Sequence, residues 1–573
     1  MKNYKLIAIL FSIGSILLIG CDKPSEKIKI STSEDILINQ VGYPTKANKK
    51  ALVRDDASNF QLKNTQGEVV FEDEIAEKKY WELSGDSVGI ADFSSFSEKG
   101  TFMLCLNDTL CSFPFTIGDS LYTTLADAAL KSYYYARCGF AIEEQYGGKW
   151  NRLGGHFDTA VIVHESAASD ARPAGTTFSS PGGWYDAGDY GKYVVNSSIT
   201  TWTILQSSVL NKQYHQSQNL NIPESDNDLP DVLDEALVNI KWMMTMQDPN
   251  DGGVYHKLTT KGFDGFIMPH EANKPRYVVQ KSTSAALDFS ATMATASRII
   301  RQYELNEMAD NLQASAIAAW EWAKKNPEEF YVQPKDISTG AYPDKSYVDE
   351  WFWAASELYL LTGDSQYKES MMQNYQKPIT PKWDVVHALG VISLLTSEKR
   401  AEFDEYEKDF IAYADEMLEK EERCPYIISM DQFAWGSNSD VGNDGMLKLV
   451  AHQLTGDKKY VASAQNDLDY ILGRNATGYS FVTGFGDKLP TQPHNRIIAA
   501  DGVEEPIPGY IVGGPNTIVL TDCEPKKVAR SKFPAMSYTD TQCSYSTNET
   551  AINWNAPLVF LASGLEQAMP DQP

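Results

Sequence analysis

Two aspartates three positions apart lie in the stretch SSPGGWYDAGDYGKYV, residues 179–194. Glycine-rich loops are usually hydrated, but a plain solvent loop does not need the tryptophan and tyrosines that flank these acids. A third acid, Glu549, occurs far downstream in YSTNETAINWNAPLVF, where a loop leads into a helix. Carboxyl groups on separate loops can act as general base and general acid in one reaction. The pattern indicates a candidate site formed by Asp186, Asp189 and Glu549.

A histidine and an arginine lie two positions apart between these acids, at His494 and Arg496 in the run LPTQPHNRIIAADG. Distant carboxylates, a His/Arg pair and many aromatic rings are the groups that glycoside hydrolysis uses. That reaction needs one carboxylate as base or nucleophile and one protonated carboxyl group for the leaving oxygen. Each group also has a purely structural interpretation. The aspartates could cap turns, Glu549 could complement a helix dipole, and the basic pair could be structural.

The composition is that of an acidic globular protein rich in aromatic residues. The chain has 573 residues, a formal net charge of −27, and 30 Tyr, 23 Phe and 12 Trp. This length suits more than one domain, or one large domain with an accessory. An acidic surface argues against nucleic acid as a partner, because it cannot neutralise phosphates. Aromatic rings suit flat, weakly charged ligands such as sugars, although most of them pack in cores.

The N-terminus has the pattern of an export signal. Two lysines precede an apolar run that is too short and wrongly flanked for a membrane span, and the run ends in LIGC at Cys21. This ending resembles a bacterial lipobox, which predicts a signal peptide over 1–20, lipidation of Cys21 and a polar tether over 21–33. We expect a lipid-anchored protein at the outer membrane or surface of a Gram-negative bacterium. An ordinary secretory signal with a chance cysteine is the alternative.

Export permits disulfides among the remaining cysteines. Cys105 and Cys111 flank the turn LNDTL and could bridge a hairpin. The other four have no metal-binding spacing, and sequence leaves open whether they pair: Cys138, Cys424, Cys523 and Cys543.

Two kinds of secondary structure follow each other along the chain. Residues 34–118 contain short β-rich runs separated by turns, which is typical of a small antiparallel sandwich. Residues 119–573 are dominated by amphipathic helices, and the connections LTGDSQY and LTGDKKY each combine a glycine helix end with an aspartate cap. Repeated helical hairpins predict an α/α barrel whose loops gather at one end. Helices are predicted at 121–139, 229–244, 284–303, 349–362, 385–396, 446–455, 460–473 and 551–568.

Six ordered motifs resemble those of family 9 glycoside hydrolases, the endo-β-1,4-glucanase family. They are GGWYDAGDYGKY, GGVYHK, DYILGRNATGYSFVTGFG, PHNR, PGYIVGGPN and NETAINWNAPL. The N-terminal stretch ILINQVGYP to SFPFTIGD is similar to the immunoglobulin-like domain that often precedes this catalytic domain. The resemblance implies a mostly α fold: a six-hairpin (α/α)6 barrel preceded by a small all-β sandwich.

The resemblance also implies an inverting hydrolysis and a role for each acid. Asp189 would be the general base that deprotonates the attacking water, Asp186 would hold that water and share the negative field, and Glu549 would be the general acid. In an inverting enzyme the base and acid stand roughly 6.5–9.5 Å apart, which leaves room for the water. The acid must keep its proton near neutral pH, which takes burial or a nearby negative charge.

Further residues are expected to bind substrate because they match family positions. His494 and Arg496 would line the subsite before the scissile bond, with Arg496 donating to sugar hydroxyls. Tyr545 would contact the sugar at the cleavage point and Trp435 would stack on a glucosyl face. His256, in GGVYHK, would face the product side. Asp540 is expected to orient a neighbouring basic group.

No cofactor is expected for catalysis, although many relatives carry a structural calcium. Asp349, Glu350 and Asp384 are candidate oxygen ligands, while Lys345 stands where a neutral ligand is expected. Some relatives bind zinc near the segment of Cys138 and His156, but a full zinc ligand set is not matched.

The sequence therefore predicts a monomeric, lipid-anchored, endo-acting hydrolase of β-1,4-glucan polysaccharides or oligosaccharides. The backbone could be cellulose, mixed-linkage glucan or xyloglucan. Exo action on the same linkage is one alternative. A surface glycan-binding lipoprotein without turnover is another, although the chain keeps all three acids that such a protein would be expected to lose.

Overall fold

A computed structural model describes residues 31–107, 109–523 and 530–569. The predicted signal peptide over 1–20, Cys21 and the tether up to residue 30 lie outside the described residues and stay predictions. Within the described ranges, no helix has both the length and the apolar character needed to cross a bilayer.

Residues 31–118 form a β-sandwich. One sheet has seven strands, ordered β1-β10-β9-β11-β3 with β5 and β6 attached through β9, and the other is ordered β2-β4-β8-β7. Alternate side chains face a core that includes Tyr43, Phe60, Phe93 and Phe115. The strands are β1 Ser31–Thr32, β2 Ile36–Leu37, β3 Gly42–Pro44, β4 Lys50–Val53, β5 Asn59–Asn64, β6 Val69–Glu74, β7 Lys79–Trp81, β8 Asp86–Asp92, β9 Gly100–Cys105, β10 Leu110–Cys111 and β11 Phe115–Gly118.

Helices dominate from residue 123 onward. They are α1 Thr123–Ala136, α2 Glu144–Gly147, α3 Val194–Leu210, α4 Lys212–Ser217, α5 Asp231–Thr245, α6 Thr283–Arg301, α7 Asn306–Lys325, α8 Val348–Thr362, α9 Ser365–Asn374, α10 His387–Leu395, α11 Asp404–Arg423, α12 Ser437–Thr455, α13 Lys458–Ile471, α14 Arg496–Ala500, α15 Tyr545–Asn548 and α16 Ile552–Ala568. A small sheet, ordered β13-β12-β16-β15-β14, interrupts them. Its strands are β12 Val161–Val163, β13 Thr177–Phe178, β14 Lys192–Tyr193, β15 Lys257–Thr259 and β16 Tyr277–Val278.

The longest buried helices form an inner ring. Helix α3 packs on α6, α6 on α8, α8 on α10, and α12 on α16, which returns to α3. Outer helices such as α7 and α13 pair with inner ones, so the predicted (α/α)6 barrel behind a β-sandwich is confirmed. The two LTGD connections also form as predicted: Gly363 and Gly456 end their helices in the left-handed conformation, and Asp364 and Asp457 cap the next ones.

Two inner helices differ from the sequence prediction. Helix α3 was not predicted, and α12 begins at Ser437 rather than at 446. Both are buried on nearly all sides and carry small polar residues such as Ser197, Thr200 and Asn443. An inner-ring helix has no solvent face, so it lacks the amphipathic period on which the prediction depended.

The sandwich contacts the barrel next to the loop that leads to Glu549. Trp81 packs on Tyr426, with ring centres 4.8 Å apart, and the Tyr426 hydroxyl donates to Asp86 at 2.9 Å. The Phe533 ring lies against Gly85 so closely that a Cβ at Gly85 would be 2.2 Å from it. The backbone N–H of Ala535 donates to the Leu83 carbonyl at 2.9 Å.

Candidate active site

The aspartate-bearing stretch is a loop between β13 and β14, and β14 leads directly into α3. Gly183 has a φ of +76° and lies against Trp242, where a side chain would collide with the indole ring. Trp184 is buried and its indole N–H donates to Glu235 at 2.8 Å. The aromatic residues that flank the aspartates in the sequence therefore anchor the loop in the barrel.

Asp186 is buried, being 1% exposed, and accepts three hydrogen bonds. The Asn196 amide donates to both of its oxygens, at 3.0 and 3.2 Å, and the Tyr342 hydroxyl donates to Oδ2 at 2.9 Å. Burial, followed by the charge of Asp189, raises the pKa of Asp186 to about 8. Near neutral pH Asp186 is therefore mostly neutral, whereas the sequence analysis expected it to share the negative field.

Asp189 accepts two hydrogen bonds on a single oxygen. The Gly191 N–H donates to Oδ2 at 2.9 Å, and the Tyr193 hydroxyl donates to the same atom at 3.1 Å. Within the described part of the chain no donor bonds the other oxygen, Oδ1. Oδ1 is therefore available to take a proton from water.

Glu549 lies directly against the aspartate loop. The Gly188 N–H donates to Glu549 Oε1 at 3.2 Å, and a Cβ at Gly188 would lie 3.0 Å from that oxygen and 2.2 Å from the His494 carbonyl. Burial, then the charges of Asp189 and Asp186, raise the pKa of Glu549 well above its usual range. Glu549 is thus positioned beside the candidate base and holds its proton, as a general acid requires.

The His/Arg pair lies beside these acids. His494 Nδ1 is 2.6 Å from the Gln542 carbonyl, and burial is the main cause that lowers the pKa of His494. Two donors of Arg496 are bonded to backbone carbonyls, Nε to Asp264 at 2.8 Å and one terminal nitrogen to Gly188 at 2.6 Å. Arg496 therefore ties the Asp264 segment to the aspartate loop, and its predicted hydrogen bonds to sugar hydroxyls stay a prediction.

Several aromatic rings lie around His494. Phe266, 38% exposed, packs edge-on to His494 with ring centres 5.2 Å apart. Tyr545 lies 6.0 Å from His494 and 5.4 Å from Trp435, which is 44% exposed. The structure thus brings His494, Tyr545 and Trp435 together as predicted, and it adds Phe266, which the sequence analysis missed because a single Phe in a loop has no distinguishing pattern.

His256 is not part of this surface. It is 0% exposed, its ring stacks on Tyr331 at 3.9 Å, and its nitrogens lie 2.8 Å from Ser282 Oγ and 2.9 Å from the Ala341 carbonyl. Burial lowers its pKa to about 3, so it is neutral. In this structure His256 has no atom exposed to a sugar and instead supports the loop that carries Tyr342.

Asp540 also differs from its expected role. It accepts from the Thr491 backbone and hydroxyl, from the Gln492 N–H, and from the Asn548 amide at 2.9 Å. These donors are neutral, so Asp540 orients Asn548, the neighbour of Glu549, rather than a basic group. Tyr538 donates to the same Asn548 side chain at 2.7 Å.

A disulfide and an ion pair hold the segment that leads to Glu549. Cys523 is bonded to Cys543, whereas Cys138 and Cys424 are free. Next to the bridge, Asp522 pairs with Arg530 at 2.7 Å and accepts from the Ser546 N–H at 2.9 Å. The predicted bridge between Cys105 and Cys111 is also present, across β9 and β10.

The residues near Cys138 do not fit a zinc ion. Cys138 Sγ is 3.7 Å from Asp158, but that carboxylate is already paired with Lys192 at 2.8 Å and Arg276 at 2.9 Å. Two buried cations would repel a third. Lys192 also donates to the Gly182 carbonyl, so the charges fasten the aspartate loop.

The calcium candidates give two observations that disagree. No group of three His, Cys, Asp or Glu side chains in the described ranges is arranged to hold a metal ion. Yet Asp288 is fully buried with both carboxyl oxygens unpartnered, as is one oxygen of Glu350. Burial and the charge of Asp349 raise the pKa of both groups. The unpartnered carboxylates are oxygen donors of the kind that calcium binds.

The barrel and its cleft acids define a glycoside hydrolase. Residues 122–562 match the description "Glycosyl hydrolase family 9", and residues 31–109 match "Cellulase N-terminal ig-like domain". The chain therefore belongs to glycosyl hydrolase family 9.

Individual relatives cover almost the whole chain. The xyloglucan-specific endo-beta-1,4-glucanase BoGH9A of Bacteroides ovatus is 42% identical over 591 residues, 99% of either chain. Endoglucanase D of Acetivibrio thermocellus is 33% identical, covering 92% of this chain and 83% of the relative. The solved structure of Bacteroides ovatus GH9 superposes with a TM-score of 0.87 at 42% identity, over 94% of this chain and 99% of the other.

Proposed function

We propose that the protein hydrolyses internal β-1,4 bonds of a xyloglucan-type glucan with inversion, using Asp189 as base and Glu549 as acid. The single observation that supports the assignment is the hydrogen bond from the Gly188 N–H on the aspartate loop to Glu549, a carboxyl group whose pKa is raised well above its usual range.

The proposed chemistry follows from the two carboxyl groups. Asp189 Oδ1 takes a proton from water as the water oxygen bonds to the anomeric carbon. The glycosidic bond breaks on the opposite face of the sugar, and Glu549 gives its proton to the leaving oxygen. Asp186 remains neutral near pH 7 and can donate a hydrogen bond to the water. After one turnover Asp189 holds a proton and Glu549 lacks one, and solvent restores both.

Two observations support a branched polymer as substrate and endo action as the mode. The relative at 42% identity carries the name xyloglucan-specific. Phe266, Tyr545 and Trp435 form a series of neighbouring rings around His494, and such a series suits the binding of several sugar units of a polymer.

The test compares wild type with Glu549→Gln and Asp189→Asn on xyloglucan, mixed-linkage glucan, carboxymethylcellulose and chitosan. We expect wild type to release reducing ends fastest from xyloglucan and to lower its viscosity early, which endo cleavage does and exo cleavage does not. Each variant should lose at least about a hundredfold in kcat. Glu405→Gln, exposed on α11, is the matched control and should keep full activity. Binding without sugar release would instead establish a non-catalytic glycan-binding protein.

We also propose that the mature protein is a monomer attached to the membrane through lipidated Cys21. The lipobox-like ending of the N-terminal apolar run supports this. Full-length protein should incorporate labelled palmitate and sediment with membranes, and Cys21→Ser should do neither. Light scattering of the released protein should give one chain per particle.

A structural calcium is proposed at the unpartnered carboxylates of Asp288 and Glu350, with Asp349 beside them. A calcium ion would offset three buried negative charges, so chelation should lower Tm and added calcium should restore it. An unchanged Tm in EDTA would remove the proposal. Catalysis does not depend on it, since the ion would take no part in the chemistry.

A further inference from the structure

Lys257 is a buried lysine that lies next to the proposed base. It is 0% exposed on β15, directly opposite Tyr193 of β14. Its Nζ lies 5.5 Å from the centre of the Tyr193 ring and 5.6 Å from that of Tyr331. Three neutral oxygens accept its hydrogen bonds: Gln333 Oε1 at 3.0 Å, Thr339 Oγ1 at 3.2 Å and the Gly340 carbonyl.

Two sets of contacts connect Lys257 to Asp189 and to Asp186. Tyr193, whose ring faces the ammonium group, donates its hydroxyl to Asp189 Oδ2. The carbonyl of Gly340, which Lys257 binds, lies two residues before Tyr342, whose hydroxyl donates to Asp186 Oδ2. Tyr342 itself has a φ of +48°, an uncommon conformation for a side chain of this size, so its loop needs such anchoring.

The charge of Lys257 also acts on Asp189. Burial lowers the pKa of Lys257 to about 7, and the negative charge of Asp189 opposes that shift. Because the coupling between two charges is reciprocal, protonated Lys257 favours ionised Asp189 to the same extent. The other titratable groups that interact with Asp189 are Asp186, Glu549, Tyr193, Tyr342 and His494. Those around Lys257 also include His256 and Tyr331.

We propose that Lys257 is a positioning residue for the hydrolysis: it holds Tyr193 and Tyr342 on the two aspartates and places a positive charge beside Asp189. The proposal rests on the assignment of Asp189 as base. Lys257 is fully buried, so it acts through these neighbours.

The decisive measurement is the pH dependence of kcat and kcat/KM for Lys257→Met and Lys257→Arg. Methionine keeps most of the length of the side chain and removes the charge. In the pH–rate profile of Lys257→Met, the rise in activity on the acidic side (the acidic limb) should move to higher pH by roughly half to one unit. Its kcat should fall about tenfold with KM nearly unchanged. The alkaline limb, the fall in activity at high pH, reports the loss of the proton from Glu549. The pKa of Glu549 is affected by Asp189, Asp186 and Arg496, so this limb should not shift. Arginine keeps the charge and should keep the wild-type acidic limb.

Lys49→Met is the matched control for removing a buried ammonium group. Lys49 is also 0% exposed, its Nζ donates to two backbone carbonyls at 2.9 Å, and it lies in the sandwich. The Lys49→Met variant should have a lower Tm, with neither the acidic nor the alkaline limb of the pH–rate profile shifted. An unmoved acidic limb in folded Lys257→Met would overturn the proposal and leave Lys257 a structural residue.

If Lys257→Met does not fold, Tyr193→Phe tests the same connection. That variant removes the hydroxyl donor to Asp189 and keeps the ring, so its acidic limb should move in the same direction. An unmoved limb would again overturn the proposal. Failure of the assignment itself would look different, because Asp189→Asn would then retain activity while wild type still hydrolysed glucan.

Discussion

At the scale of single residues, the two aspartates differ because their surroundings differ. Asp186 is enclosed and lies beside a negative charge, so its pKa rises to about 8. Folding thus favours its neutral form. The resulting stabilisation of the folded state is fully present when the pH is below 3.8, the ordinary pKa of the group. This stabilisation is lost as the pH rises through about 8. Buried Asp440 and Asp469, each with a pKa raised to about 6, act in the same direction.

Asp186→Asn should therefore separate stability from activity. The Asn side chain is neutral at every pH, so the Tm of the variant relative to wild type should rise between pH 5 and pH 8.5. Its kcat should fall about tenfold to a hundredfold, because Asp186 is proposed to donate a hydrogen bond to the attacking water. Thermal unfolding at the two pH values, together with assays at pH 6, gives both quantities. A Tm difference that is the same at both pH values would contradict the raised pKa.

At the scale of elements, the site exists because two loops meet at one glycine. Gly188 donates to Glu549, while its carbonyl accepts from Arg496. Beside Gly188, the backbones of His494 and Glu549 pair in a parallel β-bridge. No other residue type fits between these segments.

Gly188→Ala should separate the loops and reduce kcat by roughly a hundredfold, since small displacements of catalytic groups cost this much. The new Cβ would meet the His494 carbonyl at 2.2 Å, a backbone atom that cannot move aside cheaply. Gly118→Ala in the sandwich is the control, because its Cβ would meet only a methyl group at 3.8 Å. Steady-state kinetics of both variants decide the point, and equal kcat values would show that the contact tolerates a methyl group.

The sequence predicted most elements that have a local signal, although the amphipathic outer helices α7 and α11 were not among the predicted ranges. The LTGD connections carry their own cap chemistry, and helices with one solvent face show a 3.6-residue period. Helix α3 has neither, because neighbours cover it on every side. Among site residues, the acids were predictable from their motifs. Tyr342 and Lys257 were not, since their roles depend on hydrogen bonds to groups far away in the chain.

At the scale of the whole molecule, the sandwich supports the acid loop as well as the barrel. Phe533 and Ala535 contact its turn at Leu83 and Gly85, and Tyr538 of the same segment donates to Asn548, next to Glu549. A continuous set of contacts thus leads from the N-terminal domain to the general acid.

Phe533→Ala should loosen this connection. We expect kcat to fall roughly three- to tenfold with little change in KM, because the acid is displaced while the substrate surface stays intact. Glu405→Gln, exposed on α11 and far along the chain from this contact, is the control and should have no such effect. Kinetics on xyloglucan and a thermal scan measure both variants. A drop in Tm without a change in kcat would limit the sandwich to a stabilising role.

The bridge between Cys523 and Cys543 makes the chemistry dependent on where the chain folds. It closes the segment that ends at Tyr545 and the general acid, so the hydrolase matures fully only where thiols are oxidised. Protein made in a reducing cytoplasm would keep its barrel and yet lack an ordered acid loop. Recombinant material of that kind would bind glucan and cut it poorly, and an oxidising refolding step should restore the missing turnover.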